Sequence, residues 1–95
     1  MSRIITSRSE IPDAPLYVLA NDSFMSDWGH AKGKTNTVIL PCRDHEEARD
    51  VRDYADSRDE MRYVRIACNK PRLKTKTHLY SLLTRENARA WYPTD

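Results

Sequence analysis

The chain is poor in glycine and has no long apolar segment. Two glycines among 95 residues are too few for the glycine-rich loops that bind phosphate in nucleotide-binding folds. The longest uninterrupted apolar run, Leu16–Ala20, is far shorter than the roughly 20 residues that a membrane-spanning helix needs. The first residues also lack the apolar core of a signal peptide. We therefore expect a cytoplasmic protein that does not contact membranes.

The segment Gly29–Thr35 is the one place that invites comparison with a phosphate-binding loop. Three residues separate its two glycines, one fewer than in a P-loop. An extended apolar segment follows, so no helix N-terminus would point at a phosphate. We interpret the segment as a loop that turns on its two glycines.

Cysteine is equally scarce. Cys42 and Cys68 each end a predicted strand, where we expect two free, buried thiols in a reducing compartment. With His45 and His78 they form the one candidate set of soft metal ligands, but the four residues lack the paired spacing of zinc sites. We predict no metal and no cofactor.

No group of side chains has the arrangement of a catalytic site. Cys42, Asp44 and His45 include the residue types of a nucleophile, an orienting acid and a base, but neighbouring residues at a helix cap seldom converge on one point. The carboxylates of the helix that follows have no evident apolar pocket to raise their pKa for acid catalysis. We therefore expect a protein that is not an enzyme and has no small-molecule substrate.

What the chain does contain is a strand, a helix and a strand in succession. Residues 37–41 and 63–68 are apolar runs rich in β-branched side chains, and the pattern between them predicts a helix over residues 45–59. A strand at residues 16–20 and a further candidate strand at 73–80 extend this unit to a three- or four-stranded sheet with one face covered. The expected fold is a small α+β sandwich with a right-handed β-α-β unit, ferredoxin-like in layout.

The rest of the chain completes a single domain, as its length suggests. Residues 1–14 are polar and are predicted to form a flexible N-terminal arm, with a short extended piece at Ile4-Ile5. The α+β domain then spans residues 15–95. A short C-terminal helix is expected over residues 85–91, whereas residues 79–83 fit a strand and a helix equally well.

Local signals define the central helix most clearly. Asp44 is placed to cap its N-terminus, and Glu47 follows at the spacing of a capping box. Apolar side chains spaced by three and four form one stripe, which consists of Ala48, Val51, Tyr54 and Ala55. Residues 44–60 carry 8 acidic and 3 basic side chains, so the solvent-facing side of the helix is predicted to be negative.

A basic segment follows the last strand of this unit. Its cations alternate with other residues, so that a strand would place them all on one face: they are Lys70, Arg72, Lys74 and Lys76. Such a row could follow a phosphate backbone, or it could protect the edge of the sheet against aggregation. The residues that could assist in binding are Arg65, Lys32, Lys34 and Trp28.

Charge is distributed unevenly along the chain. The net charge is only +2, but residues 1–60 carry 8 basic and 12 acidic side chains, whereas residues 61–95 carry 8 and 2. The two parts therefore have net charges of −4 and +6. This asymmetry indicates a surface for nucleic acid or for an acidic partner, and it is equally typical of a protein that associates with itself.

The aromatic side chains are expected to divide between the core and the surface. Tyr54, Tyr63 and Trp91 are predicted to pack in the core. Trp28 and Tyr80 lie beside basic segments, where each could stack on bases or pack in the core.

Residues 16–66 resemble small, uncharacterised accessory proteins of bacteriophages and integrated mobile elements. The residues that carry the resemblance are Phe24-Met25-Ser26-Asp27-Trp28-Gly29, Gly33-Lys34, Asn36, Pro41-Cys42, Glu47-Ala48 and Glu60-Met61. The resemblance implies a setting, an accessory protein that acts in the cytoplasm of a bacterial host, and no catalytic residues.

Two hypotheses of function follow. The first is a non-enzymatic accessory protein that binds single- or double-stranded nucleic acid through the basic C-terminal segment, with Trp28, Lys32 and Lys34 contributing. The alternative is a protein–protein interaction module, either an inhibitor of a host protein or a self-associating adaptor. In that case the contact would be made by acidic residues of the helix, which are Glu46, Asp50 and Asp53.

Overall fold

The computed structural model describes residues 3–22, 35–58, 61–74, 77–86 and 88–92. In these ranges the chain forms strands β1 (Arg3–Ile5), β2 (Leu16–Asp22) and β3 (Thr35–Cys42), helix α1 (His45–Asp56), and strands β4 (Met61–Ala67) and β5 (His78–Leu82). Two single-turn 3-10 helices lie at Arg8–Glu10 and Arg89–Trp91.

The strands form one mixed sheet in the order β1-β5-β3-β2-β4. Strands β3 and β5 are parallel, and the other neighbouring pairs are antiparallel. The α+β class predicted from the sequence is confirmed, although the described sheet has five strands rather than three or four. The additional strand is β1, which pairs with β5 over only three residues.

The strand–helix–strand unit is present with one difference from the expected layout. Strands β3 and β4 flank α1 in the chain and both run antiparallel to β2, so they are parallel to each other. They are not neighbours, because β2 lies between them. Strand β2 contains the continuous apolar run, and an interior position gives that run a partner strand on each side and a covered face above and below.

Helix α1 begins where its cap predicts and ends three residues early. The Asp44 carboxylate accepts a hydrogen bond from the Glu47 N–H at 2.8 Å, which confirms the cap. The reciprocal bond of the capping box is displaced by one residue, because Glu47 Oε1 accepts from the Arg43 N–H at 2.9 Å. The helix ends at Asp56, and the Ser57 hydroxyl donates to the Tyr54 carbonyl at 2.6 Å, so the last turn closes before residue 59.

The sheet buries apolar side chains on both faces. On the face covered by α1 lies the helix-side core, which consists of Leu16, Val18, Ala20, Val38, Leu40, Cys42, Ala48, Val51, Met61, Leu83 and Tyr92. On the opposite face lies the second core, which consists of Ile5, Ile11, Tyr17, Leu19, Ile39, Tyr80 and Leu82. Alternate residues of β2 enter alternate cores, as the period of a strand requires. One helix covers one face, and irregular segments cover the other.

The N-terminal segment is one of those covers. Ile5 and Ile11 are both buried in the second core, and the extended piece expected at Ile4-Ile5 is part of β1. The Tyr17 hydroxyl donates to the Pro12 carbonyl at 2.8 Å and accepts from the Ala14 N–H at 3.0 Å. The segment predicted as an arm is thus placed against the sheet, and its flexibility stays a prediction.

The C-terminal part of the chain differs in detail from the expectation. Residues 78–82 form β5, so the ambiguous residues 79–83 are largely a strand. The candidate strand at 73–80 is confirmed only for its last three residues, 78–80. In place of a helix over residues 85–91 there is a single 3-10 turn, and Ala88 at its start has no side-chain cap. Ala88 and Trp91 nevertheless pack against the helix-side core.

Strand β4 contains a bulge that overturns one prediction. Met61, Val64 and Ile66 all contact the helix-side core, but the interval of three between the first two cannot lie on one face of a regular strand. The register therefore shifts opposite Ala20, between the Leu19–Arg65 and Asn21–Arg62 pairs. Tyr63 is the extra residue. It is 76% exposed, with φ of 56°, so the prediction that it packs in the core is wrong.

We expect the substitution Tyr63→Gly to stabilise the fold by about 0.5 kcal/mol. It relieves a left-handed conformation that costs a bulky residue about 1–2 kcal/mol, and it adds about 0.5–1 kcal/mol of chain entropy to the unfolded state. Urea unfolding measures the difference. Val64→Gly, which removes a side chain that packs on the core, is the control and should destabilise. A loss of stability in Tyr63→Gly would contradict the assignment of strain.

Candidate nucleic-acid interface

The described part of the basic segment, residues 70–74, is not a strand. Residues 70–74 run without regular secondary structure, and β5 begins only at His78. The prediction of a period-two row of cations on one strand face is therefore wrong for Lys70, Arg72 and Lys74. Lys76 lies outside the described residues. Pro71 has no N–H to donate to a sheet, and other groups satisfy the backbone beyond it.

A buried tyrosine holds the basic segment in place. The Tyr80 hydroxyl accepts a hydrogen bond from the Lys74 N–H at 3.0 Å and donates to the Arg72 carbonyl at 3.4 Å. Its ring is buried in the second core, where Leu73 packs beside it. Of the two roles expected for Tyr80, the structure therefore shows packing in the core. Its buried ring is not available to stack on bases. The backbone of the segment is fixed while the side chains of Arg72 and Lys74 are exposed.

Lys70 has a different role from its neighbours. Its ammonium group lies 2.8 Å from the Asp13 carboxylate, and this hydrogen bond and charge hold the pKa of Asp13 below its usual value. The Arg8 guanidinium donates to the Lys70 carbonyl at 3.3 Å. These contacts join the basic segment to the N-terminal segment across the second core. Lys70 therefore positions the segment, and its charge is partly compensated.

Two arginines of β4 belong to the same side of the sheet. Arg65 pairs with Leu19, a residue of the second core, and Arg62 pairs with Asn21 two residues further along β2. Both arginines are exposed. Arg65 was expected to assist the basic segment, whereas Arg62 was missed. The spacing of three between Met61 and Val64 could have revealed it, because only a bulge buries both of those residues and leaves both arginines on the opposite face.

We call the cations on this side the basic layer. It consists of Arg8, Arg62, Arg65, Lys70, Arg72 and Lys74. The described acidic residues of the covering segments are Glu10 and Asp13. Glu10 accepts the N–H groups of Thr6 and Ser7 at 2.9 and 3.0 Å, so its charge is used locally to cap a turn. With six cations and two acids, this side has a formal net charge of +4.

Helix α1, on the opposite side of the sheet, is net negative, with five acidic and two basic side chains between His45 and Asp56. Glu46, Asp50 and Asp53 are exposed on α1 and recur at intervals of four and three, which places them along one face of the helix. We call these three residues the acidic stripe. Arg52 lies beside it and pairs with Asp53 at 3.1 Å. Because Ala48 and Val51 of α1 enter the helix-side core, the sheet separates the acidic stripe from the basic layer. Tyr54 of the same helix is 36% exposed, so the prediction that it packs in the core is wrong; its ring contacts Trp91 instead, with 5.3 Å between the ring centroids.

Three residues predicted to assist in binding are not placed by the structure. Trp28, Lys32 and Lys34 lie outside the described residues. Residues 29–34 of the segment that was compared with a phosphate-binding loop also lie outside the described residues, so its interpretation as a loop stays a prediction.

The chemistry of Cys42 is that of a core residue. Its side chain is buried, and its thiol donates to the Leu40 carbonyl at 3.4 Å. Burial raises the pKa of Cys42 to about 11, the opposite of what a nucleophilic thiol needs. Cys68 lies just beyond β4 and is exposed, so the expectation that both thiols are buried is wrong for it; both cysteines are free.

A buried carboxylate next to Cys42 joins the helix to the C-terminal segment. The Glu47 side chain is 3% exposed and forms ion pairs with Arg85 and, at 3.5 Å, with Arg43. The Arg85 guanidinium also lies over the Tyr92 ring, 5.2 Å from its centroid. A buried charge with these partners is a structural element, since removal of one partner from such a pair is strongly destabilising.

Tyr92 completes this contact. Its hydroxyl lies 2.9 Å from the Pro41 carbonyl and 3.0 Å from the Leu83 carbonyl, and it donates towards both. Burial raises the pKa of Tyr92 far above its usual value. The hydroxyl thereby ties the end of the described chain to β3 and to the residue that follows β5.

In the described ranges, no three His, Cys, Asp or Glu side chains come close enough together to hold a metal ion. No helix in the same part of the chain is long and apolar enough to cross a membrane.

Comparison with known proteins adds no assignment. No protein-family model matches the chain, and no curated protein and no solved structure matches it either. The candidate interface therefore stands on its own geometry and charge.

The two cysteines should differ sharply in reactivity. In native protein at pH 8, we expect iodoacetamide to alkylate the exposed Cys68 rapidly and Cys42 only after unfolding, because the Cys42 thiol is buried and its pKa is about 11. Mass spectrometry of a time course with and without urea counts the labels at each position. Equal labelling rates in native protein would contradict the burial of Cys42.

Proposed function

We propose that this protein binds nucleic acid through the basic layer. The observation that carries the proposal is the separation of charge by the sheet. One side has six described cations, namely Arg8, Arg62, Arg65, Lys70, Arg72 and Lys74, and two described acids. The other side is covered by the acidic helix. Such a surface attracts phosphate groups, and its few acidic side chains oppose them only weakly. Its affinity for nucleic acid would come from the release of counterions.

The way in which the cations are held supports the proposal. A basic segment with a flexible backbone must lose backbone freedom when it binds, whereas the backbone at Arg72 and Lys74 is already fixed by the Tyr80 hydroxyl. Preorganisation lowers the entropic cost of binding. Within the basic segment, we assign direct phosphate contacts to Arg72 and Lys74 and a positioning role to Lys70, because Lys70 is engaged with Asp13.

Four further residues are part of the proposal on the evidence of the sequence. Lys76 continues the basic segment, and Lys32, Lys34 and Trp28 lie in the long connection between β2 and β3. In this view the protein is a non-enzymatic accessory protein of a phage or mobile element that acts in the cytoplasm of its host.

The double charge reversal Arg72→Glu and Lys74→Glu tests the proposal. We expect affinity for a labelled oligonucleotide to fall at least tenfold. We also expect the slope of log K against log salt to decrease by about 1.4–1.8, the value for two lost phosphate contacts. Fluorescence anisotropy at several salt concentrations, with single- and double-stranded oligonucleotides, measures both quantities.

The chain offers a matched control on its other side. Arg49→Glu and Arg52→Glu change the net charge by the same amount, but both positions are on α1. If binding depends on the basic layer, this variant should bind almost as tightly as the unmodified protein. Equal losses in the two variants would show that only net charge matters, and no binding of the unmodified protein at low salt would overturn the proposal.

The acidic stripe supports a second candidate function. Glu46, Asp50 and Asp53 form a continuous negative row on the exposed face of α1, a feature that suits a basic surface on another protein or the basic layer of a second copy. In this case the protein would be an interaction module.

Self-association through the acidic stripe has a direct test. Sedimentation at low salt should show oligomers that survive nuclease treatment and dissociate as salt is added, since the contact is electrostatic. The variant Glu46→Lys, Asp50→Lys and Asp53→Lys should sediment as a monomer. A monomer in the unmodified protein at every salt concentration would rule out self-association and leave a different protein as the partner.

A further inference from the structure

Tyr63 is the one described residue other than glycine with a positive φ, 56°. It is the extra residue of the bulge in β4, and its side chain is 76% exposed. Residues in this backbone region are usually glycine, asparagine or aspartate, because a larger side chain is strained there. The bulge itself is needed to bury Met61 and Val64, but the bulge does not require a tyrosine.

Neither stability nor solubility accounts for an aromatic ring at this position. An exposed ring gains little from burial, and the strained backbone costs free energy that glycine would avoid. Strain that is not repaid by packing is typical of residues that are held for a function. The carbonyl of Tyr63 accepts a hydrogen bond from the Arg65 guanidinium at 2.7 Å, so the bulge is held in its conformation by a neighbouring cation.

The surroundings of Tyr63 indicate what the ring would meet. Arg62 and Arg65 flank it in β4 and lie on the side of the basic layer. Strand β4 is at the edge of the described sheet, so a ligand can approach from beyond the strand. Tyr63 is thus an exposed aromatic residue that lies in the chain between two exposed arginines, and single-strand-binding proteins combine exposed aromatic rings, which stack on bases, with cations that follow the adjoining phosphates.

We propose that Tyr63 stacks on an unpaired base and that the ligand of the basic layer is single-stranded nucleic acid. The inference rests on the proposed function and specifies its ligand. In a duplex both faces of each base are covered by its neighbours, so an exposed ring has no face to meet. In a single strand a base can turn outwards and stack on the ring, while Arg62 and Arg65 contact phosphates on either side.

The test compares three ligands of equal length, about 15 nucleotides, within the range that single-strand-binding folds cover. They are an oligothymidine, an abasic oligonucleotide with the same number of phosphates, and a duplex. The protein variants are Tyr63→Gly, which removes the ring and relieves the backbone, and Tyr63→Phe, which retains the ring. Tyr54→Leu is the matched control, since Tyr54 is a partly exposed tyrosine on α1, across the sheet from the basic layer.

We expect the unmodified protein to bind oligothymidine roughly tenfold more tightly than the abasic strand, the ratio that one stacked base supplies. Tyr63→Gly should lose this preference but bind the abasic strand unchanged. Tyr63→Phe and Tyr54→Leu should keep the preference. A melting temperature of Tyr63→Gly no lower than that of the unmodified protein shows that the loss does not come from unfolding.

The outcomes separate this inference from the function on which it rests. If Tyr63→Gly binds oligothymidine as tightly as the unmodified protein, or if the duplex is preferred, stacking by Tyr63 is wrong and phosphate binding by the basic layer stands. If none of the three ligands binds at low salt, the proposed function fails and the role of Tyr63 fails with it.

Discussion

The need to bury strands β2 and β3 on both faces is the constraint on which the rest of the structure depends. Residues 16–20 and 36–40 are all buried, so apolar side chains leave the sheet in both directions and each face needs a cover. A chain of 95 residues can supply few regular elements for this purpose. One helix covers the first face. The second is closed by two irregular segments, 6–14 and 70–74, which are joined to each other by the contacts of Lys70 with Asp13 and Arg8.

The distribution of charge follows from which element covers each face of the sheet. The helix is acidic, and the segment that follows β4 is basic, so assignment of the two to opposite faces turns an asymmetry along the chain into an asymmetry in space. Binding residues occur disproportionately on irregular surface segments that a rigid scaffold positions. Here the Tyr80 hydroxyl supplies the rigidity, since it satisfies the backbone on either side of Leu73. The basic layer is thus part of the core's cover and also the best candidate interface.

The buried polar groups serve stability at the other end of the sheet. The Glu47 carboxylate accepts a hydrogen bond from the Arg43 N–H, just before α1, and forms an ion pair with Arg85. The Tyr92 hydroxyl donates towards the carbonyls of Pro41 and Leu83. Together they fasten the last described residues to the start of the helix. Cys42 lies near them in the helix-side core as a buried, protonated thiol. Its role is packing, and no catalytic role is needed to account for it. The bulge at Tyr63 differs, because nothing in the core uses its ring.

The sequence alone determined what depends on near neighbours in the chain. The cap at Asp44, the strand nature of β2 and the α+β class follow from spacings of two, three and four residues, and the structure confirms them. Of the predicted apolar stripe of α1, Ala48, Val51 and Ala55 are buried, whereas Tyr54 is 36% exposed. What depends on pairing between distant residues was decided only by the tertiary structure. The insertion of β2 between β3 and β4, the docking of Ile5 and Ile11, and the place of residues 70–74 require knowledge of which face is left uncovered. The bulge at Tyr63 was only partly predictable. The spacing of three between Met61 and Val64 is visible in the sequence, but only the register with β2 shows that Tyr63 is the extra residue.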